Sequence, residues 1–372
     1  MQVSTFAAID IGSYDVTLEI FEISKKAGIK SIDTIRHRLE LGTDTYTHGK
    51  LGPKMEEELC TVLKDFVRIM KGYRVESYRA IATSSLREAE NSLFILGKIR
   101  QATGLTVEIL SNSEQRFLSY KAIASIESRF NKMIEKGTAV IDVDGGSIQI
   151  SLFDKDALVT TQNIRMGNLR IRERLLPLKN NTANYERLAE ELIRNEILSF
   201  KRMYLKDRKI ENIMLIGDFI TDTVFRDTED KASRTISRSD FDAWYQNIVE
   251  HSTMELAVTM DVPVEYASLL RPSAIIYHRL IEEMGAAMIW TPGIHLARGL
   301  AYEYAEQKKL LKVKHDFEND IIMAAKNIGK RYAVNRAHIQ NMEMTAMAVF
   351  DAMKRVYGLG EGERLLLRIA VM

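Results

Sequence analysis

Two passages of the chain carry the same alternation of hydrophobic and polar positions. In the first, over 139–153, the apolar run Ala139-Val-Ile reaches Asp142, and the turn Asp144-Gly145-Gly146-Ser147 follows. Ile148, Ile150 and Leu152 then alternate with polar neighbours. The second is the N-terminus. Phe6-Ala-Ala-Ile runs into Asp10, Gly12-Ser13 makes a turn, and Val16, Leu18 and Ile20 alternate on the return. Each passage reads as a buried strand, a glycine turn and a hairpin partner. A third strand is expected after each hairpin, over 29–41 and over 158–165.

Further along, Pro53 opens a helix at a position where its missing N–H costs nothing. Met55, Leu59, Val62, Phe66 and Met70 repeat at helical spacing, and Gly72 is placed to end the helix. A buried strand is expected over 78–82, with Arg87 at the start of the helix after it, a helix stop near Gly104, and a strand over 105–110. Ser111-Asn-Ser-Glu114 has the spacing of a reciprocal N-terminal cap, which makes Glu114 a cap residue. Residues 128–137 show no apolar face and read as the crossing into a second domain.

That domain repeats the plan. Helices are expected over 184–204, 239–249, 274–284 and 297–311, with strands over 213–216 and 287–290. From Asp316 the pattern is helical only, led by Phe317 and Ile321, then Ile339 and Phe350, then 361–372. The apolar faces there exceed what three short helices cover. They are expected to lie against the second domain or a second copy of the chain, giving a homodimer.

Composition narrows the class. The chain has 372 residues, 46% hydrophobic, with a formal net charge of +1. That length supports two domains with real cores. The near-zero balance gives no electrostatic reason to expect DNA or RNA as a partner. The single cysteine, Cys60, cannot close an intrachain disulfide and reads as a packing residue. No run is apolar enough for a membrane span or a signal peptide, so a cytoplasmic location is expected.

The duplicated turns carry the candidate chemistry. Glycine lets backbone approach a ligand closely. Successive N–H groups in a turn suit phosphate oxygens, and the Ser hydroxyls add donors. Asp10 and Asp142, at the strand ends, can hold Mg²⁺, which commonly arrives with phosphate.

Further motifs carry a resemblance. Ala82-Thr-Ser-Ser-Leu-Arg87-Glu-Ala-Glu-Asn91 is similar to Ala-Thr-Ser-x-x-Arg-x-Ala-x-Asn. Glu114-Gln115-Arg116-Phe117-Leu118, following Ser111, is similar to Ser-Gly-x-Glu-Glu-Ala-x-Leu, and Arg165-Met-Gly167 also matches. Together with the paired turns, these segments resemble the exopolyphosphatase / guanosine pentaphosphate phosphohydrolase (Ppx/GppA) family, of the acetate kinase, sugar kinase, heat-shock-70 and actin superfold.

The resemblance implies an α/β fold of two ribonuclease H-like (actin-like ATPase) domains, 1–127 and 128–311, with a ligand cleft between them. A helical segment, 312–372, would start a His-Asp-type domain whose motif would come directly after 372. The adjacent His315-Asp316 is expected to be incidental to it. The resemblance also implies hydrolysis of phosphoanhydride bonds in polyphosphate or guanosine pentaphosphate, with Mg²⁺ or another divalent cation. Gly12, Ser13, Tyr14, Arg87, Gly145, Gly146, Ser147 and Gln149 would bind phosphate, and Asp10 and Asp142 the metal. Gln115, Glu114 and Asp142 would be the catalytic group.

The cleft departs from the family in several places. Gln115 stands at the family's general-base Glu, and Gln149 at the Glu after its glycine loop. Tyr14 replaces Asn, Asp144 replaces the first loop glycine, Gly217-Asp-Phe replaces a Gly-Gly-Thr type turn, and Ala297-Arg298-Gly299 replaces Arg-Glu-Gly. An amide takes no proton near neutral pH, and loss of a general base costs a factor on the order of 10² to 10⁴. Two readings follow. One is an impaired phosphohydrolase in which Glu114, Asp144 or a water chain replaces the base. The other is a non-catalytic nucleotide- or polyphosphate-binding regulatory protein.

Overall fold

The structure, a computed structural model, describes residues 3–124, 128–178, 185–217, 223–224, 234–311 and 315–372. Strands β1 (Ser4–Ile11), β2 (Asp15–Ser24), β3 (Gly28–Arg38), β4 (Ser77–Ala82) and β5 (Val107–Ile109) form one sheet in the order β3-β2-β1-β4-β5. Strands β6 (Thr138–Val143), β7 (Ile148–Asp154), β8 (Ala157–Ile164), β9 (Asn212–Ile216), β10 (Thr235–Ser237) and β11 (Met288–Trp290) form the other, in the order β10-β11-β9-β6-β7-β8. Each sheet is an antiparallel three-strand meander whose first strand pairs in parallel with the strand beyond it. The two domains expected from the duplicated module are therefore present.

Both faces of each sheet are covered, so the central strands have no solvent side. Ala7, Ile9 and Ile11 of β1 join the core with Leu59, Leu63 and Phe66 of the Pro53–Gly72 helix. Phe6 and Ala8, on the opposite face, pack against Ala297, Leu300 and Ala301 of the Leu296–Gln307 helix. In the second sheet Ala139, Ile141 and Val143 face a core that includes Ile276 and Leu280, while Val140 faces Tyr120 and Ile123 of the Asn112–Ala124 helix. The two helices Asn112–Ala124 and Leu296–Gln307 thus lie between the sheets. They pack so closely that a Cβ on Gly299 would sit 2.3 Å from the Leu118 carbonyl oxygen.

Several sequence expectations need correction. Residues 128–137 are not a featureless crossing. Ser128–Ile134 is a helix that buries Phe130 and Ile134, an i, i+4 pair hidden among charged neighbours. Strand β3 ends at Arg38, and an unexpected helix, Leu41–His48, follows it. The helix expected around Arg87 is broken into Ser84–Glu88 and Ser92–Thr103, the latter closed by Gly104 in the left-handed conformation. Of the Gly217-Asp-Phe turn, only Gly217 lies among the described residues.

The C-terminal expectation holds for one helix. Phe317–Arg331 lies along β8, with Asn327 Nδ2 donating to the Leu158 carbonyl at 2.9 Å. The helices Arg336–Tyr357 and Glu361–Ala370 pack chiefly on each other and on that first helix. They leave Leu366 68% exposed and Val356 79% exposed, while Ile369 and Val371 are half-buried. His315 and Asp316 have separate structural roles. His315 Nε2 meets Asp320 Oδ2 at 2.6 Å, and Asp316 accepts from the Asn319 amide at 2.9 Å to cap the helix. Among the described residues no helix is long and apolar enough to cross a membrane.

Candidate functional site

The duplication reaches atomic detail at the two turns. In β1, Asp10 is the penultimate residue, and the Gly12 amide donates to the Asp15 carbonyl at 2.9 Å. In β6, Asp142 is penultimate, and the Asp144 amide donates to the Ser147 carbonyl at 2.9 Å. The same bond at the same offset gives both turns the same shape. They face each other across the domain boundary, where a Cβ on Gly145 would stand 3.0 Å from that of Ser13.

A cleft of about 140 Å³ opens beside this meeting point, room for a phosphate-sized group with water. Asp10, Gly12, Ser13, Tyr14, Gln115, Asp142 and Gly145 line it. Of the other residues expected at the site, Gly146 is packed away under Tyr46 and Ser84, with room for a Cβ only 2.1 Å from the Tyr46 hydroxyl. Ser147 and Gln149 are each 2% exposed, and their side-chain polar atoms have no hydrogen-bond partner among the described residues. Gln149 is the ladder partner of Asp142 on the neighbouring strand and is not among the residues that line the cleft. Arg87 reaches the cleft through another residue. Its Nη1 donates to the Leu110 carbonyl at 2.7 Å and to Gln115 Oε1 at 3.4 Å. Burial pushes its guanidinium below its ordinary pKa, opposed by Asp144 and Glu88.

Gln115, 3% exposed, is held at both ends of its amide. Nε2 donates to Asp144 Oδ2 at 2.5 Å while Oε1 accepts from Arg87. Glu114 stands outside the cleft on the exposed side of the helix. Its carboxylate accepts from the Ser111 amide at 2.8 Å, and its own amide donates to Ser111 Oγ at 3.2 Å. These bonds hold the carboxyl below its usual range. The expected cap is present.

Sequence reasoning missed several neighbours. Ser13 Oγ is already engaged, with the Tyr46 hydroxyl at 2.6 Å and Ser84 Oγ at 2.8 Å. Ser119 Oγ donates to Asp142 Oδ2 at 3.3 Å. The cleft also takes in Asp15, Glu19, Arg36 and His295. The polar alternation of β2 was the available signal for part of this set. Asp10, Thr17 and Arg36 are consecutive ladder partners and share one face.

Among the described residues, carboxylates from Asp10, Asp15, Glu19, Asp142 and Asp144 line the cleft together with Arg36, which pairs with Asp15 at 3.3 Å. This is a donor set of hard oxygens. Among the described residues no three acidic or histidine groups are gathered closely enough to hold a metal alone. The set therefore fits Mg²⁺ held by one or two carboxylates together with substrate phosphate, the usual arrangement for that ion. Burial pushes the Tyr14 hydroxyl up to about 12, with Glu40 adding to the effect, so Tyr14 stays a neutral hydrogen-bonding group.

The sequence pattern of the Ppx/GppA phosphatase family matches residues 20–308, well over half of the chain. The chain belongs to the Ppx/GppA phosphatase family. It is 25% identical over 223 residues to a bifunctional 3-dehydroquinate synthase/phosphatase of Fusobacterium nucleatum, covering 57% of this chain and 31% of that protein. It is 21% identical over 386 aligned residues to a guanosine-5'-triphosphate,3'-diphosphate pyrophosphatase of Photobacterium profundum, covering 98% of this chain and 71% of that protein. The crystal structure of an exopolyphosphatase from Cytophaga hutchinsonii superposes with a TM-score of 0.72 at 16% identity, covering 83% of this chain and 99% of that one. The two-domain α/β fold of that crystal structure is the fold found here. The chain spans about a third of the length of the Fusobacterium protein.

Proposed function

We propose that the chain is a phosphohydrolase that cleaves phosphoanhydride bonds of inorganic polyphosphate or guanosine pentaphosphate. One observation carries this reading: the two Asp-turn modules meet face to face with Asp10 and Asp142 in a single cleft. The family relatives named for guanosine-5'-triphosphate,3'-diphosphate and for exopolyphosphatase activity support the same substrate class.

Phosphoryl transfer depends mainly on positioning and on neutralising charge. The Gly12-Ser13 and Gly145 backbone would cradle the terminal phosphate, and Arg87 would take its oxygens from the Gln115 side. Among the described residues that line the cleft, carboxylates outnumber cations, an imbalance that would repel a polyanion. That imbalance supports a divalent cation held at Asp10 and Asp142, which when bound would neutralise phosphate charge. Ser119 fixes the Asp142 carboxylate for this role. Gln115 cannot accept a proton, so the water must be deprotonated elsewhere or react slowly.

The test is phosphate release from polyphosphate and from guanosine pentaphosphate, with Mg²⁺ and with a chelator. Metal-dependent release from either supports the reading. Tight binding of both without release would favour the regulatory binding protein, for which Gln115 is the motivating residue.

A further inference from the structure

Glu19 is a carboxylate in a costly place. It is 6% exposed, and it lines the cleft. Its ladder partner Ala8, and Phe21 two residues further along the same face, belong to the apolar layer built with Ala297 and Leu300. Among the described residues the Glu19 carboxylate makes no hydrogen bond and no ion pair. Burial holds the Arg298 guanidinium below its ordinary pKa, and the charge of Glu19 opposes this. The two charges therefore sense each other without coming into contact. A buried charge that persists is as a rule paired or bound to a metal.

The strand register supplies a second carboxylate. Asp10 faces Thr17 across the β1–β2 ladder, and Ala8 faces Glu19. Asp10 and Glu19 are thus diagonal neighbours on one face, at a Cβ separation of about 7 Å that a long side chain spans. Thr17 lies between them and also lines the cleft. Other carboxylates there are engaged. Asp15 pairs with Arg36 at 3.3 Å, and Asp144 accepts from Gln115 at 2.5 Å. Positions 115 and 149 carry amides. Two carboxylates, completed by phosphate and water, are the donor set usual for Mg²⁺.

We propose that Glu19 is a ligand of the divalent cation that Asp10 holds, which anchors that cation on the sheet of the first domain. This rests on the metal-and-phosphate reading of the cleft above. Two ligands from one sheet keep the cation in place when the sheets part to admit phosphate, and Asp142 joins from the other domain as they close. The competing role for Glu19 is a counter-charge to Arg298 and nothing more.

Mn²⁺ is the probe, because carboxylate, phosphate and water oxygens suit it as they suit Mg²⁺. Its binding would be titrated by the loss of the free-ion EPR signal, with the full chain alone and with polyphosphate. Glu19→Gln and Asp10→Asn should each weaken Mn²⁺ binding by at least the tenfold or so that loss of an outer-shell partner costs. Asp15→Asn removes a cleft carboxylate already paired with Arg36 and should weaken it much less. The rise in melting temperature produced by Mn²⁺ should shrink in Glu19→Gln, since that rise follows from binding to the folded state. Glu19→Asp keeps the charge opposite Arg298 but draws the oxygens back by one methylene, so it too should bind Mn²⁺ more weakly. Full Mn²⁺ affinity in Glu19→Gln would overturn the assignment. If Glu19→Gln does not fold, full affinity in Glu19→Asp would overturn it, leaving Glu19 as the counter-charge of Arg298. Equal losses in Asp15→Asn and Glu19→Gln would also overturn it, because the summed charge of the cleft would then be what attracts the ion. If the unmodified chain binds no Mn²⁺ with or without polyphosphate, the cation reading falls and this assignment with it. Phosphate release, followed in parallel, is judged separately. Mn²⁺ held through Glu19 without turnover would sustain the assignment and leave the phosphohydrolase reading to fall alone.

Discussion

Glu114 and Gln115 are adjacent in sequence and serve different purposes. Glu114 closes its helix, and the spacing Ser111-x-x-Glu114 was enough to read that role, because a cap depends only on local geometry. Gln115 faces inward, and its partners Arg87 and Asp144 come from other elements, so neither contact was legible in the sequence. Ser111→Ala should lower stability by about 1 kcal/mol in urea unfolding, without changing phosphate affinity. The Glu114 half of the cap carries a pH signature. Its folded pKa is depressed, so its stabilisation is complete above the ordinary glutamate value and is lost as pH falls through the depressed value. The cost of Glu114→Gln should therefore shrink in unfolding experiments on going from pH 7 to pH 3. Arg87→Ala, by contrast, should leave the fold intact and weaken phosphate or polyphosphate binding by about 1.5 to 3 kcal/mol, as for a hydrogen bond to a charged group. Unchanged affinity in calorimetry would remove Arg87 from the site.

At the scale of elements, the long periodic segments were legible and the short ones were not. The Pro53–Gly72 helix carries its own signals, an N-terminal proline and repeated apolar positions. Ser128–Ile134 has only Phe130 and Ile134 to mark a buried side, and Leu41–His48 is amphipathic only weakly, so tertiary contact decides both. The glycines were legible where a turn needed them and silent where packing did. Gly299 lies inside a helix and looks like a helix weakness. It is in fact the point where the Leu296–Gln307 helix meets the backbone of the Asn112–Ala124 helix, 2.3 Å from a would-be Cβ to the Leu118 oxygen. Backbone cannot swing aside as a side chain can. Gly299→Ala should lower stability by about 1 to 3 kcal/mol, as overpacking does, and should disturb the cleft that both helices support. Gly97 is the control. It too lies within a helix, but no atom lies within 4 Å of its would-be Cβ. Gly97→Ala should stabilise by about 0.5 to 1 kcal/mol. Equal effects at the two positions in chemical denaturation would show that helix propensity, not the helix crossing, governs Gly299.

At the scale of the whole molecule, the duplicated module announced two domains and a cleft. It could not announce how the domains are held, because the contacts that hold them join residues 82 to 227 positions apart. Arg172 of the second domain reaches Glu40 of the first and donates to Ser268 Oγ at 3.1 Å within its own domain. Arg38 of the first domain meets Glu265 of the second at 3.0 Å. The Arg170 guanidinium lies 3.9 Å from the Tyr46 ring centre and pairs with Glu88 at 2.7 Å. These contacts differ in weight. Arg38 and Glu265 are both well exposed, so water and salt screen them and they contribute little. Arg172 and Glu40 are 14% and 20% exposed, so removing either leaves a largely desolvated partner. Substrate phosphate can pass between Ser13 and Gly145 only if the sheets part, since those turns are in contact as the domains stand. Arg172→Ala should therefore favour the parted arrangement by about 1.5 to 3 kcal/mol, the worth of a hydrogen bond to a charged group. Small-angle scattering should show a larger radius of gyration for this variant than for the unmodified chain, and polyphosphate with Mg²⁺ should bring it back. Arg38→Ala should show neither effect. If both variants scatter like the unmodified chain, the packing of Tyr46 and Ser84 against Gly146, rather than the ion pair at Arg172, keeps the cleft shut.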